Sequence, residues 1–229
     1  MNSSLKIAVI GDYNFTYYSH QATNLALDHA SLFLELDVSY YWIKLSEAAM
    51  LKPSKFDQYD GVWIAPGPFT NPFFLHGIIR TLSQMQIPTL MTGESYKSFV
   101  EVLISNDQLN TGKEKLISDN LVDGSTFEKI TIVPHSNTFI KLFENHTTFE
   151  LSSSRYSIYP QIVPQLIEGF MDVEAYNQYE DPEIISLKNH PFFVACACCP
   201  QISSTRELPH PLVYTFIKIC QAIEDKKAE

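Results

Sequence analysis

The sequence predicts an α/β fold: a single doubly wound, mostly parallel sheet flanked by helices, with a small antiparallel addition. Three observations predict it. Short apolar runs end in Gly or Pro turns (Lys6 to Ile10 before Gly11, Asp60 to Ala65 before Pro66-Gly67-Pro68, Pro88 to Thr92 before Gly93), as buried parallel strands do. Segments of helical period separate these runs, which is the rhythm of βαβ units. The 229 residues, 45% hydrophobic and 18% charged, suit one folded domain, 1–229, with a sizeable core.

Lys6 to Ile10 reads as the first strand and Gly11-Asp12-Tyr13-Asn14 as its loop. From His20 to Leu36, Ala22, Leu25, Ala26, His29, Ala30, Phe33 and Leu34 recur at helical spacing. Asp37 to Ile43, rich in Val, Tyr and Trp, is the second strand, and Asp60 to Ala65 the third. A helix over 72–85 leads to the strand Pro88 to Thr92. Ser95 to Ser105 follows as a helix with Phe99, Val102 and Leu103 facing inward. The polar stretch Asp107 to Ser125 carries turns at Asn110-Thr111-Gly112 and Asp123-Gly124. Phe127 to Val133 and Thr138 to Phe143 are expected as antiparallel strands. Tyr156 to Leu166 reads as a loop, then Ile167 to Asn177, Glu183 to Leu187 and Phe192 to Cys198 as strands. Pro211 to Ile223 closes the chain as a helix, with Leu212, Phe216, Ile219, Cys220 and Ile223 on one face.

A net charge of −10 argues against nucleic acid or an anionic membrane as partner. No apolar run approaches the roughly 18–20 residues that span a bilayer, and the N-terminus does not read as a signal peptide. Four cysteines, three of them in Cys196-Ala197-Cys198-Cys199, form no disulfide framework and suggest a reducing compartment, so the cytoplasm is the expected location. Neither a cofactor nor a metal is expected, because that cysteine run lacks the CxxC pairs of a zinc site. A homo-oligomer or a protein partner is compatible with the composition.

In doubly wound sheets, sites form at the carboxyl ends of the strands. Gly11, Asp12, Gly67, Pro68, Thr92, Gly93, Glu94 and Tyr96 lie at such ends and define the expected ligand crevice. Cys199, at the end of the last strand and facing that crevice, is the candidate reactive thiol, whereas Cys196 and Cys198 share the opposite face as small hydrophobes. Gly93-Glu94-Ser95-Tyr96-Lys97 half-matches a GxSxG elbow, but Ser95 reads better as a helix N-cap than as a nucleophile. Glu94 is a candidate general acid or cation ligand, against the plainer reading of a first-turn carboxylate that complements the helix dipole. His190 and His210, each before a proline, read as structural.

The C-terminal stretch His190 to Leu212, HPFFVACACCPQISSTRELPHPL, resembles the closing strand and loop of the glutaminase domain of CTP synthase, a class I glutamine amidotransferase, which reads HPFFVATQFHPEF…PHPL. KIAVIGDY near the start, the helix around His20 to Ala30, and YDGVWIAPG extend the resemblance over most of the chain. It is weak from Asp107 to Tyr179. GDYN at residues 11–14 and the PQISST run at 200–205 are similar to stand-alone bacterial proteins related to that C-terminal region. The resemblance implies a flavodoxin-like sheet and a Cys-His-Glu triad. The implied positions hold Gly93 for the nucleophile, Cys199 for the base and Gln201 for its orienter, while Pro68 falls in the PGG turn that serves the oxyanion hole.

The expectation is therefore a catalytically degenerate amidotransferase-like protein that binds a small ligand or a protein partner. One alternative is replaced hydrolase or transferase chemistry using Cys199 or Ser95 with Glu94. The other is a CTP synthase-related glutamine amidotransferase in nucleotide synthesis, although no synthetase domain is expected ahead of Met1.

Overall fold

The computed structural model describes residues 4–106, 109, 114–122 and 126–228, without the side chains of 227 and 228. The turns expected at Asn110-Thr111-Gly112 and Asp123-Gly124 lie outside these residues. The strands are β1 (Leu5–Ile10), β2 (Val38–Ile43), β3 (Gly61–Ile64), β4 (Thr89–Thr92), β5 (Glu128–Pro134), β6 (Phe149–Ser152), β7 (Met171–Asn177), β8 (Pro182–Leu187) and β9 (Phe193–Cys196). They form one nine-stranded sheet in the order β2-β1-β3-β4-β9-β8-β7-β5-β6. From β2 to β9 the pairs are parallel, with Ile7 opposite Gly61, Val62 opposite Thr89 and Met91 opposite Ala195. Beyond β9 every pair is antiparallel, so the expected small addition is four strands wide.

The helices are α1 (Tyr18–Leu34), α2 (Leu45–Ala48), α3 (Pro72–Ser83), α4 (Glu94–Asn106), α5 (Asn137–Leu142), α6 (Val163–Gly169) and α7 (Pro211–Ala228). Strand alternation sends Ala8 and Ile10 into one core with Leu75 and Ile79 of α3 and Phe99 and Leu103 of α4. Leu5, Ile7 and Val9 enter the other core with Ala26, Leu27 and Ala30 of α1 and Phe216 of α7. A sheet covered on both faces explains why β3, β4 and β9 are buried at every position. At Gly61 a Cβ would stand 2.8 Å from the Phe216 ring, so the close approach of α7 to β3 requires glycine there. The N-terminus of α3 is set by Asn71, whose side chain accepts the Phe73 N–H, and by Pro72 in the first turn.

Three expectations are corrected. Thr138 to Phe143 is not a strand: Ser136 accepts the Phe139 N–H and caps the short helix α5, which buries Phe139. The partner of β5 is instead β6, with Lys129 opposite Leu151. Ile167 to Gly169 belongs to α6, and the strand begins only at Met171. Finally, α1 has the expected period but a different inward stripe: Ala22, Ala26, Leu27 and Ala30 are buried, while Leu25 and Phe33 are more than half exposed. The small side chains let α1 approach the sheet and α7, which the larger ones would prevent.

Candidate functional site

β4 ends at Thr92, Gly93 turns with φ +63°, and α4 begins at Glu94. This strand–turn–helix is the geometry of a nucleophile elbow, and glycine adopts its left-handed backbone without strain. The Gly93 N–H donates to the carbonyls of Cys196 (3.0 Å) and Cys198 (3.2 Å), which fixes the elbow against β9. A Cβ at Gly93 would stand 2.8 Å from both the Cβ and the carbonyl oxygen of Pro66. The space where a nucleophilic side chain would begin is filled.

The same proline carbonyl accepts the Glu94 N–H at 2.9 Å. In elbow enzymes the N–H of the residue after the nucleophile faces the oxyanion, and here it is committed to backbone. The turn after β3 runs through Gly67 (φ +92°) and a cis Gly67-Pro68 bond. Pro68 has no N–H, and the Phe69 N–H is taken by Glu94 Oε2 at 3.2 Å. The Glu94 side chain lies across Gly67, where an added Cβ would meet Oε2 at 2.5 Å. His20 anchors the turn from the other side. Its Nδ1 accepts the Asn14 N–H, so Nε2 carries the proton and donates to the Gly67 carbonyl at 2.8 Å. Burial lowers the His20 pKa, against the pull of Gly67 and Asp12, and favours the neutral ring.

At the other two positions that the resemblance implies, the expectation for Cys199 as a reactive thiol facing the crevice is corrected. Its thiol is fully buried, and burial, helped by Cys196, pushes its pKa up to about 12 against opposing hydrogen bonds from Ser153 and Ser152. Burial and the raised pKa both oppose a thiolate at this position. Alkylation at pH 8 should label Cys199 only as fast as the protein unfolds, read by intact mass against Cys199→Ser; rapid labelling of the folded protein would contradict the burial. Gln201 is 2% exposed with neither side-chain amide atom hydrogen-bonded. An unpaired buried amide costs about 1–3 kcal/mol, so Gln201→Met should be neutral or stabilising by about 1 kcal/mol in urea titrations.

Ser95 is corrected too. It lies inside the first turn of α4, fully buried, and its hydroxyl donates to the Thr92 carbonyl at 2.8 Å instead of capping the helix. Thr92 and Tyr96, expected in the crevice, are fully buried within the fold: the Thr92 hydroxyl accepts from Trp63 Nε1 and the Tyr96 hydroxyl donates to the Pro182 carbonyl. The open crevice is a cavity of about 590 Å³ over the elbow. Its lining takes Gly67, Pro68 and Glu94 from the expected set; Gly11, Asp12 and Gly93 are not part of it.

Its other walls include Tyr156 and further residues that no sequence motif marks. Ser153, Ser154 and Asn120 supply polar groups, and Tyr17, Tyr18 and Phe127 an aromatic rim. The run Ser152-Ser153-Ser154 was the one available hint of a polar wall. Burial raises the Glu94 pKa, opposed by the Phe69 N–H and Lys97, and burial with the nearby Glu94 raises that of Tyr156.

His146, Glu150 and His210 bring potential metal-ligand atoms within 4.8 Å of one another, a cluster no sequence motif signalled. His210 Nδ1 accepts the Leu212 N–H (3.2 Å), which caps α7 and puts the proton on Nε2. Nε2 donates to Glu150 Oε1 at 2.9 Å, and the Ser203 hydroxyl donates to Oε2. A metal would have to displace that proton and break the cap. His210 and Glu150 are a buried hydrogen-bonded pair, and the half-buried His146 ring meets His210 edge-on at 4.8 Å.

No family model matches the chain. It is 24% identical to the CTP synthase of Prochlorococcus marinus over 95% of its length and 21% identical to that of Sulfolobus acidocaldarius over 96%. It covers 43% and 46% of those two proteins, so it spans less than half the length of the curated relatives it matches. Among solved structures, the glutaminase domain of Trypanosoma brucei CTPS with bound acivicin superposes with a TM-score of 0.77 at 15% identity, covering 96% of this chain and 94% of that one. A putative GMP synthase protein from Thermoplasma acidophilum gives 0.64 at 14% identity, over the full length of both. A glutamine amidotransferase from Thermotoga maritima gives 0.57 at 12%, covering 100% of this chain and 87% of that one. The fold is that of the class I glutamine amidotransferases, and the chain is related to the glutaminase region of CTP synthase. Among the described residues, no helix is long and apolar enough to cross a membrane.

Proposed function

We propose that this chain is an amidotransferase-like domain that has lost glutamine hydrolysis and uses the retained crevice to bind a small ligand, in the cytoplasm. The observation that carries the reading is the elbow. Gly93 offers no nucleophile, Pro66 fills the space where one would start, and the Pro66 carbonyl occupies the Glu94 N–H. Loss of one oxyanion donor alone costs about 2.7–4 kcal/mol of transition-state stabilisation. A buried, protonated Cys199 and an unpaired Gln201 in place of base and orienter support the same conclusion.

Replaced chemistry at Ser95 or Cys199 gains no support, because both groups are buried and Ser95 is bonded to backbone. The nucleotide-synthesis reading rests only on what the longer relatives are called. The test is ammonia release from L-glutamine by the purified chain, beside an active class I amidotransferase. Release no faster than buffer is expected; glutamine-dependent release above buffer would sink the proposal, and its loss in Cys199→Ser or Ser95→Ala would name replaced chemistry as the source.

A further inference from the structure

We propose that the crevice takes a small organic cation, a primary amine on an apolar or aromatic body, with the ammonium on Glu94 and the body against Tyr17, Tyr18 and Phe127. The inference rests on the non-hydrolytic reading of the same site and names the chemistry of its ligand. Among the described residues that line the crevice, Glu94 and Lys97 carry a formal charge. Lys97 already faces two carboxylates, Asp119 at 3.2 Å and Glu101 at 4.0 Å. Among the described residues Glu94 has no ion-pair partner: Oε2 accepts the Phe69 N–H, and the carboxylate lies over the turn at the cavity wall.

An anion is poorly served here. The two peptide N–H groups that would receive it, those of Glu94 and Phe69, are both spent, and Pro68 has none. A neutral amide or hydroxyl would leave the Glu94 charge unbalanced in a half-buried site, whereas an ammonium supplies a charge-assisted hydrogen bond. Burial already raises the Glu94 pKa, which a bound cation would reverse. The rim fits the rest of such a molecule. Tyr17, Tyr18 and Phe127 are 40%, 55% and 42% exposed, and Tyr18 meets Phe127 edge-on at 6.2 Å. Exposed ring faces beside a carboxylate attract both apolar surface and cationic charge.

Isothermal titration calorimetry of the intact chain at pH 8 tests this with tyramine, its neutral counterpart 4-(2-hydroxyethyl)phenol, its anionic counterpart 3-(4-hydroxyphenyl)propionate, and L-glutamine. Saturable binding of tyramine is expected, weakened about tenfold or more by Glu94→Gln, the loss of one charge-assisted hydrogen bond. Tyr18→Ala, at the exposed rim, should weaken it severalfold while leaving the thermal midpoint unchanged. Neither phenol nor carboxylate should bind comparably. Equal binding to wild type and Glu94→Gln, preference for the carboxylate, or no tyramine binding would each overturn the assignment. Those results leave the loss of hydrolysis standing, whereas ammonia release from glutamine would overturn that reading whatever the amine does.

Discussion

Gly93→Cys, which reinstates a nucleophile at the elbow, should destabilise the protein by about 2–5 kcal/mol, combining a left-handed non-glycine backbone with overpacking. Active elbows tolerate the same backbone strain, so φ +63° is not by itself the obstacle. The obstacle is Pro66, whose Cβ and carbonyl oxygen both stand 2.8 Å from the new Cβ. If Pro66 retreats, the Glu94 N–H loses its acceptor; if it stays, the side chain is forced off its rotamer. Urea titration should show a lower midpoint with an unchanged slope. The triple variant Gly93→Cys, Cys199→His, Gln201→Glu should still release no ammonia from glutamine, because it restores the relay residues but neither the space nor the oxyanion donor. Wild-type stability of Gly93→Cys would mean that the turn yields freely and the crevice is less closed than its geometry indicates.

The parallel half of the sheet was legible because each strand carries its own signal: a short apolar run, then a turn residue where the backbone requires one, as at Gly67 and Gly93. The elbow's lack of a nucleophile was legible for the same local reason. In the antiparallel half β5, β7 and β8 were legible in the same way, whereas β6 and the helix α5 before it were not. Thr138 to Phe143 is six residues long with apolar side chains at 139, 140, 142 and 143, too short for its period to speak against a strand, and the Ser136 cap on the Phe139 N–H begins α5 there. The burial of Cys199 was equally invisible, since its surroundings come from distant parts of the chain: the groups that hydrogen-bond its sulfur belong to Ser152 and Ser153, at and just after the end of β6. The missing Pro68 N–H was legible, but the loss of the other two donors was not: the Glu94 N–H goes to the Pro66 carbonyl and the Phe69 N–H to the Glu94 carboxylate, paths that no residue pattern encodes.

Glu183→Gln should stabilise the protein above neutral pH, by at most about 3 kcal/mol, since one pKa unit is worth about 1.4 kcal/mol. Glu183 is fully buried on β8, with Asn177 Nδ2 donating to Oε2 at 2.9 Å and Oε1 unpaired. Burial lifts its pKa from 4.5 to about 7, with Asn177 pulling the other way. The sign follows from proton counting: between those two values the unfolded chain has released the proton and the folded chain still holds it. Stability from this group is therefore highest below pH 4.5, falls as pH rises to about 7, and is level beyond. Glutamine keeps an oxygen for Asn177 and removes the ionisation, so the difference between variant and wild type should grow over that window and then plateau. Urea midpoints for both proteins from pH 4.5 to 8 measure it, and the subtraction cancels the groups the two proteins share. A difference that does not change with pH would mean that Glu183 is ionised in the fold, held by a cationic or hydrogen-bonding partner. The Glu183 carbonyl accepts the Ala197 N–H at 2.9 Å, just past the end of β9 and two residues before Cys199. Such a result would make that region, and not only the elbow, a place to look for what this domain binds.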